Sequence, residues 1–337
     1  METQLFDAVA DYDNSIKKSS LLLKSGGIVA IPTETVYGLA ADCFNEEAVK
    51  KIFIAKGRPQ DNPLIVHIAS LDQLDIVAKD IPPITYTLAK KFWPGPFTMI
   101  LKRNRLLPSL ISAGLNTVAV RMPSHPTARD VISASCPLAA PSANSSGKPS
   151  PTEYTHVLED LSGKIDAVIK DKPCAFGVES TVITLIGEHP CLLRPGAVTY
   201  EELLEYLPDL QLSNAILSPL KQGDATPSPG MKYKHYAPNC EAYLVEADLT
   251  KYSEFINKNN HFAICFYEDE PYISGSHIPY GSITDDLTLA QNVFKVLRRL
   301  NSESVDKVYI HAPGKQGVGL AVYNRLIRAC GFRVIRL

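Results

Sequence analysis

Two hydrophobic periods alternate along most of this chain, one of helical spacing and one of short unbroken apolar runs. SIKKSSLLLKSGG is helical and stops on paired glycines, and IVAI after it reads as a buried strand running into PTETVYG. Asn45 is placed to cap a helix with Glu46 and Glu47 in its first turn, Val49, Ile52 and Phe53 on its apolar face, and Gly57 as its stop. Apolar runs at 64–69, 97–102, 117–122, 166–170 and 180–186 read as strands. Helical patterns fall at about 83–92, 127–135 and 200–206. Helices and strands mingle without a strict βαβ rhythm, which predicts a mixed twisted sheet with helices rather than a doubly wound one.

Periodicity fails at Pro208. From there to Cys240 the chain is rich in Pro, Ser, Gly and Asn, including SPLKQGDATPSPGMKYKHYAPN, and reads as a linker. Loops of this length are either disordered or functional, and the cluster from Lys232 to Tyr236 favours function. Beyond it AYLVEA, HFAICFY, LTLAQNVFKVLRRL, KVYIHA, GLAVYNRLIRAC and FRVIRL outline a smaller Rossmann-like α/β domain. It has no GxGxxG after a strand, so dinucleotide binding is not expected there. The division is therefore 1–210, a linker or lid over 211–240, and 241–337.

Composition supports two cores: 337 residues, 45% of them hydrophobic. With 34 basic against 36 acidic residues, no overall positive field exists to hold a nucleic-acid backbone. No apolar run is long enough to cross a bilayer, and the N-terminus lacks a signal-peptide layout, so a soluble, cytoplasmic protein with no membrane partner is expected. The seven cysteines form no CxxC pair and read as reduced thiols without a zinc site.

Candidate chemistry gathers at strand ends. PTETVYG places hydroxyls, a carboxylate and a phenol directly after a buried strand; its threonines equally suit a turn that satisfies its own backbone. Lys56, Arg58 and Asn62 supply a point charge, a planar fork and an amide suited to phosphate oxygens, although bases at a helix end also cap carbonyls. That end repels anions, so the side chains rather than free amides would have to hold a phosphate. His67 in LIVHIA is either a packing residue or a cavity residue. Arg121 in TVAVRMP needs a partner if buried, either a ligand carboxylate or an internal Asp or Glu. Ser142, Asn144 and Ser150 in AAPSANSSGKPSP could surround a nucleotide or simply form turns. GVEST and LLRPGA add another hydroxyl and another arginine at strand ends.

In order, PTETVYGLAAD, KGRPQDNPLIVHI, FWPGPFT, TVAVRMP, AAPSANSSGKPSPT, GVESTVI, LLRPGA and GMKYKHYAP closely resemble the threonylcarbamoyl-AMP synthases of the YrdC-domain family, over about residues 15–240. The family's KxR and SxN signature stands here as Lys56, Arg58, Ser142 and Asn144. The C-terminal extension resembles the two-domain branch. The resemblance implies a YrdC-like mixed sheet in the first domain and a nucleotidyltransferase activity. L-threonine, bicarbonate or CO2, and ATP would give L-threonylcarbamoyl-AMP and pyrophosphate, with the product passed to the machinery of tRNA t6A modification.

It further implies that Thr35, His67, Arg121, Ala140 and Ser180 surround threonine, with Arg121 on its carboxylate. Lys56, Arg58, Asn62, Thr117, Ser142, Asn144, Ser150 and Arg194 would surround ATP, with Lys56 and Arg58 acting in catalysis. His235 and Tyr236 of the linker, with Tyr233 as a rival, would close over the nucleotide. Mg2+ is expected to ride on the ATP phosphates rather than on a carboxylate cluster. A weak RNA contact is compatible with this reading. Two rival functions are a non-catalytic RNA-binding module, which the near-neutral charge disfavours, and a transferase using carbamoyl phosphate, whose usual companion modules are not evident in the sequence.

Overall fold

A computed structural model describes residues 2–219, 236–303 and 305–337. The Asn45 cap forms as its sequence requires. Its side chain accepts from Ala48 N–H at 3.1 Å, the helix runs Glu46–Lys56, and Gly57 ends it in the left-handed region at φ 60°. Ile52 and Phe53 are buried, each worth about 1.5–3 kcal/mol relative to exposure. The first helix starts earlier than its hydrophobic period indicates, at Tyr12, because Asp11 caps it.

Twelve strands among the described residues form the large sheet. From one edge its order is Gln4–Asp7, Ala167–Lys170, Val29–Ile31, Gly38–Asp42, Leu138–Ala139, Ile65–His67, Thr117–Arg121, Phe97–Arg103, Thr181–Thr184, Cys191–Arg194 and Gln211–Leu212; Ala78–Lys79 pairs off this path with Phe97–Arg103. Parallel and antiparallel neighbours alternate irregularly, the mixed sheet that the element order predicts. Several short strands went unread in the sequence, two of them at the edges of this sheet. Gln4–Asp7 pairs with a strand about 160 residues away, and Gln211–Leu212 lies inside the segment read as linker yet extends this sheet through Cys191–Leu192.

The second sheet is wholly parallel, in the order His277–Pro279, Phe262–Cys265, Lys307–His311, Glu241–Glu246, Val334–Arg336. It is Rossmann-like in being open and parallel, but its order is 3-2-4-1-5, with the two strands that follow 3-2 exchanged relative to the usual 3-2-1-4-5. Helices Asp286–Arg299 and Gly317–Ala329 face the first domain. Val36 and Val178 of that domain share a core with Val293, Phe294, Leu297 and Tyr236, so the two domains bury apolar surface together. Among the described residues no helix is long and apolar enough to cross a membrane.

Candidate active site

Strand register sets the floor of a cleft. Arg121 lies between His67 on one neighbouring strand and Thr98 on the other, so the three share a face. Loops are then stitched over them: Gly38 bridges Ser142, Tyr37 N–H donates to Pro151 O at 2.8 Å, and Ala143 N–H donates to Tyr37 O at 2.8 Å. PTETVYG and AAPSAN thereby become one wall. The cleft between these walls has about 740 Å3 of unfilled space, counting the part open to solvent at its mouth.

Thr35, His67, Arg121, Ala140 and Ser180 line it, and so do Lys56, Arg58, Ser142, Asn144, Ser150, Arg194 and Tyr236. Asn62 and Thr117 were expected with them but lie off the wall. Arg58 donates to the carbonyls of Asn62 and Pro63, at 3.3 and 2.9 Å. Asn62 therefore sits next to Arg58, and Thr117 stands at the start of the strand that carries Arg121. His235, and Tyr233 as the rival of Tyr236, lie outside the described residues. Tyr236 is buried at φ 63° against Phe294.

Arg121 answers the question its burial raised with an internal carboxylate. Nη2 pairs with Glu34 Oε1 at 2.6 Å, Nη1 donates to Thr35 Oγ1 at 2.9 Å, and Nε donates to Gly95 O at 3.3 Å. A guanidinium has five N–H groups, so two remain for a ligand carboxylate. Glu34 Oε2 is buried without a hydrogen bond. Burial alone would raise the Glu34 carboxyl, but the charge and hydrogen bond of Arg121 hold it below the usual range.

Lys56 is as buried as its neighbours in the core, and Nζ donates to the carbonyls of both Ser142 and Asn144. Burial first, then the Arg58 charge, pulls its ammonium well below the usual lysine range. It pins the loop with two N–H groups and has a third to give. His67 Nδ1 lies 3.3 Å from Ile65 O, an acceptor, so the proton belongs on Nδ1 and Nε2 keeps a lone pair. Burial, with the Arg121 charge second, lowers that imidazole to about 3, so it is neutral near pH 7.

Arg194 donates through Nε and Nη2 to the carbonyl and hydroxyl of Ser180, at 2.9 and 3.0 Å. Ser150 donates to Glu179 Oε1, and Ser142 to Asn144 Oδ1, both at 2.5 Å.

The profile of the Sua5, YciO and YrdC family, described as telomere recombination, matches residues 21–196. The chain belongs to the Sua5/YciO/YrdC family. A second profile, that of the threonylcarbamoyl-AMP synthase C-terminal domain, matches residues 198–331 and so starts ahead of the linker. The threonylcarbamoyl-AMP synthase of Pyrococcus abyssi is 44% identical, over 96% of each chain. That of Bacillus subtilis is 40% identical, over 98% of this chain and 97% of its own. The structure of P. abyssi Sua5 complexed with L-threonine matches at TM-score 0.92 and 41% identity, over the whole of both chains.

Sequence reading of this Sua5/YciO/YrdC chain missed Thr33, Ser146, Lys148 and Glu179, all on the cleft wall. Each lies inside a segment the sequence had flagged, but only loop geometry says which side chains turn inward. Among the described residues Glu179 is the acidic side chain on the cleft wall and pairs with Arg325, while Glu34 pairs with Arg121. Among the described residues no cluster of three or more His, Cys, Asp or Glu side chains could hold a metal ion.

Proposed function

We propose that this chain is a threonylcarbamoyl-AMP synthase, joining L-threonine, CO2 drawn from bicarbonate, and ATP with release of pyrophosphate. The observation that carries the reading is the meeting of Arg121, Arg58 and Ser142 on one cleft, in a chain that its synthase relatives match end to end. The two unbonded N–H groups of Arg121 take the threonine carboxylate, and Thr35 and Ser180 lie beside it. The His67 Nε2 lone pair accepts from the amino acid without adding charge.

The amine nitrogen bonds to CO2 and loses a proton, giving a carbamate. One carbamate oxygen then attacks the α-phosphorus and pyrophosphate leaves. Anion approaches anion in that step, and Arg58, Arg194 and Lys56, kept protonated by the phosphate charge, offset it in a partly shielded site. The adenosine end extends past Arg58 toward Asn62 and Thr117, with Tyr236 covering and His235 as its neighbour in the chain. Mg2+ would come with the triphosphate and neutralise part of its charge; the arginine-bound carboxylates do not fit a protein cage for it. Delivery of the adenylate to tRNA t6A modification and a cytoplasmic location belong to the same reading.

The test is pyrophosphate release from ATP with and without threonine and bicarbonate. Release that needs both is expected. Release indifferent to threonine, or salt-sensitive RNA retention without ATP turnover, would overturn the assignment in favour of a binding module.

A further inference from the structure

Arg325 touches none of the proposed substrates, yet it is fully buried at the junction of the two domains. It belongs to the helix Gly317–Ala329 of the C-terminal domain. Its Nε donates to Glu179 Oε2 at 2.8 Å, Nη2 to the Glu179 carbonyl at 3.2 Å, and Nη1 to the Pro195 carbonyl at 2.7 Å. One guanidinium thus fixes two loops of the other domain, the one that leads into Ser180 and the one that follows Arg194.

The other oxygen of Glu179 receives the Ser150 hydroxyl. Ser150, Ser180 and Arg194 all line the cleft. Burial alone would raise the Glu179 carboxyl, but the charges of Arg325 and then Arg194, with the Ser150 hydrogen bond, bring it down to about 2. The ionised form is therefore the one that holds Ser150. A second brace comes from the preceding helix, where Arg298 Nη2 donates to Pro149 O at 2.6 Å and to Asp160 Oδ2 at 2.9 Å. Asp160 also receives Lys148 at 2.9 Å.

We propose that Arg325 is a positioning residue for the nucleotide half of the cleft, through which the C-terminal domain sets Ser150 by way of Glu179 and Arg194 by way of the Pro195 carbonyl. This deepens the synthase reading and rests on it for the nucleotide. The bonds that carry it run from the C-terminal helix directly to the first domain. A purely structural ion pair would alter stability and leave the balance between the two substrates untouched. A positioning pair alters that balance, because Ser150 and Arg194 face ATP, whereas Ser180 on the threonine side is also held by Thr98 on the neighbouring strand.

The experiment uses the full-length chain, with ATP affinity read by calorimetry and the KM of each substrate by pyrophosphate release. For Arg325→Met, the ATP Kd and KM should rise about tenfold or more while the threonine KM moves less than about threefold. Adding Glu179→Gln to Arg325→Met removes the stranded charge and leaves an amide oxygen for Ser150, so it should recover much of the ATP affinity. Arg325→Lys keeps the charge but not the fork, and it carries the test if the Met variant does not fold; its ATP KM should rise by less, again ahead of threonine.

An ATP affinity within about twofold of the parent in a folded Arg325→Met or Arg325→Lys chain overturns the proposal, as does equal weakening of both substrates or a double variant no better than the single. A parent chain that binds no ATP would remove the synthase reading, and this inference with it.

Discussion

Arg121 sits on a buried strand with Glu34 at 2.6 Å, so replacing it has two separable effects. Arg121→Ala should raise the threonine KM and also cost about 3–5 kcal/mol of stability, because Glu34 is left as a buried charge without its partner. Adding Glu34→Gln should restore most of the stability, read by urea unfolding, and none of the threonine affinity. His67 gives a pH prediction. Its folded value of about 3 lies below the ordinary 6.5, so between those limits the unfolded chain binds the extra proton. Stability from neutral His67 is complete above pH 6.5 and is lost as pH falls toward 3, at no more than about 1.4 kcal/mol per pH unit. His125 and His156 shift the same way. Glu34 and Glu179, whose values are lowered from 4.5, add the same sign only below that pH. Denaturation between pH 6.5 and 5 should therefore show a smaller slope in His67→Gln than in the parent. At this scale the sequence supplied residue types well and partners poorly. It showed that Arg121 needed a counter-charge but could not choose Glu34, since that choice depends on where a loop folds back.

Elements whose signals are local were legible. The helix over 83–92 runs Pro83–Phe92, and the Asn45 cap and Gly57 stop bound the next-clearest one. Two-residue strands such as Leu138–Ala139 and Gln211–Leu212 were not, because so short a segment has no period and exists only through its neighbours. Gly177 marks where elements of the two domains meet. Its φ is +78°, and a Cβ there would lie 2.5 Å from Ala290 O and from Gln291 Cα, backbone atoms of the helix Asp286–Arg299. Gly177→Ala therefore carries about 1–2 kcal/mol of left-handed strain before the clash is counted. The expected result is a lower melting temperature with faster amide exchange in that helix than in the strand Phe97–Arg103. Unchanged exchange in the helix would show that the close approach is not needed.

For the whole molecule, removing residues 220–337 would uncover Val36 and Val178 and take the arginine partners from Glu179 and Asp160. Such a truncated chain should melt lower, and at saturating threonine its ATP KM should rise about tenfold or more, since both braces on residues 148–150 are gone; measurement of KM and melting temperature on the purified fragment checks this. A fragment as active as the full chain would confine the C-terminal domain to other work. The sequence by itself determined the two-domain plan, the mixed first sheet, and the polar segments from which the cleft is built, because hydrophobic period, caps and local motifs are written over neighbouring residues. Only the tertiary structure decided the exchange of two strands in the second sheet, the burial of Arg121 against Glu34, and the reach of Arg325 and Arg298 into the other domain. Those pairings join residues far apart in the chain, and which of many competing partners a buried charge finds is settled by how the elements pack.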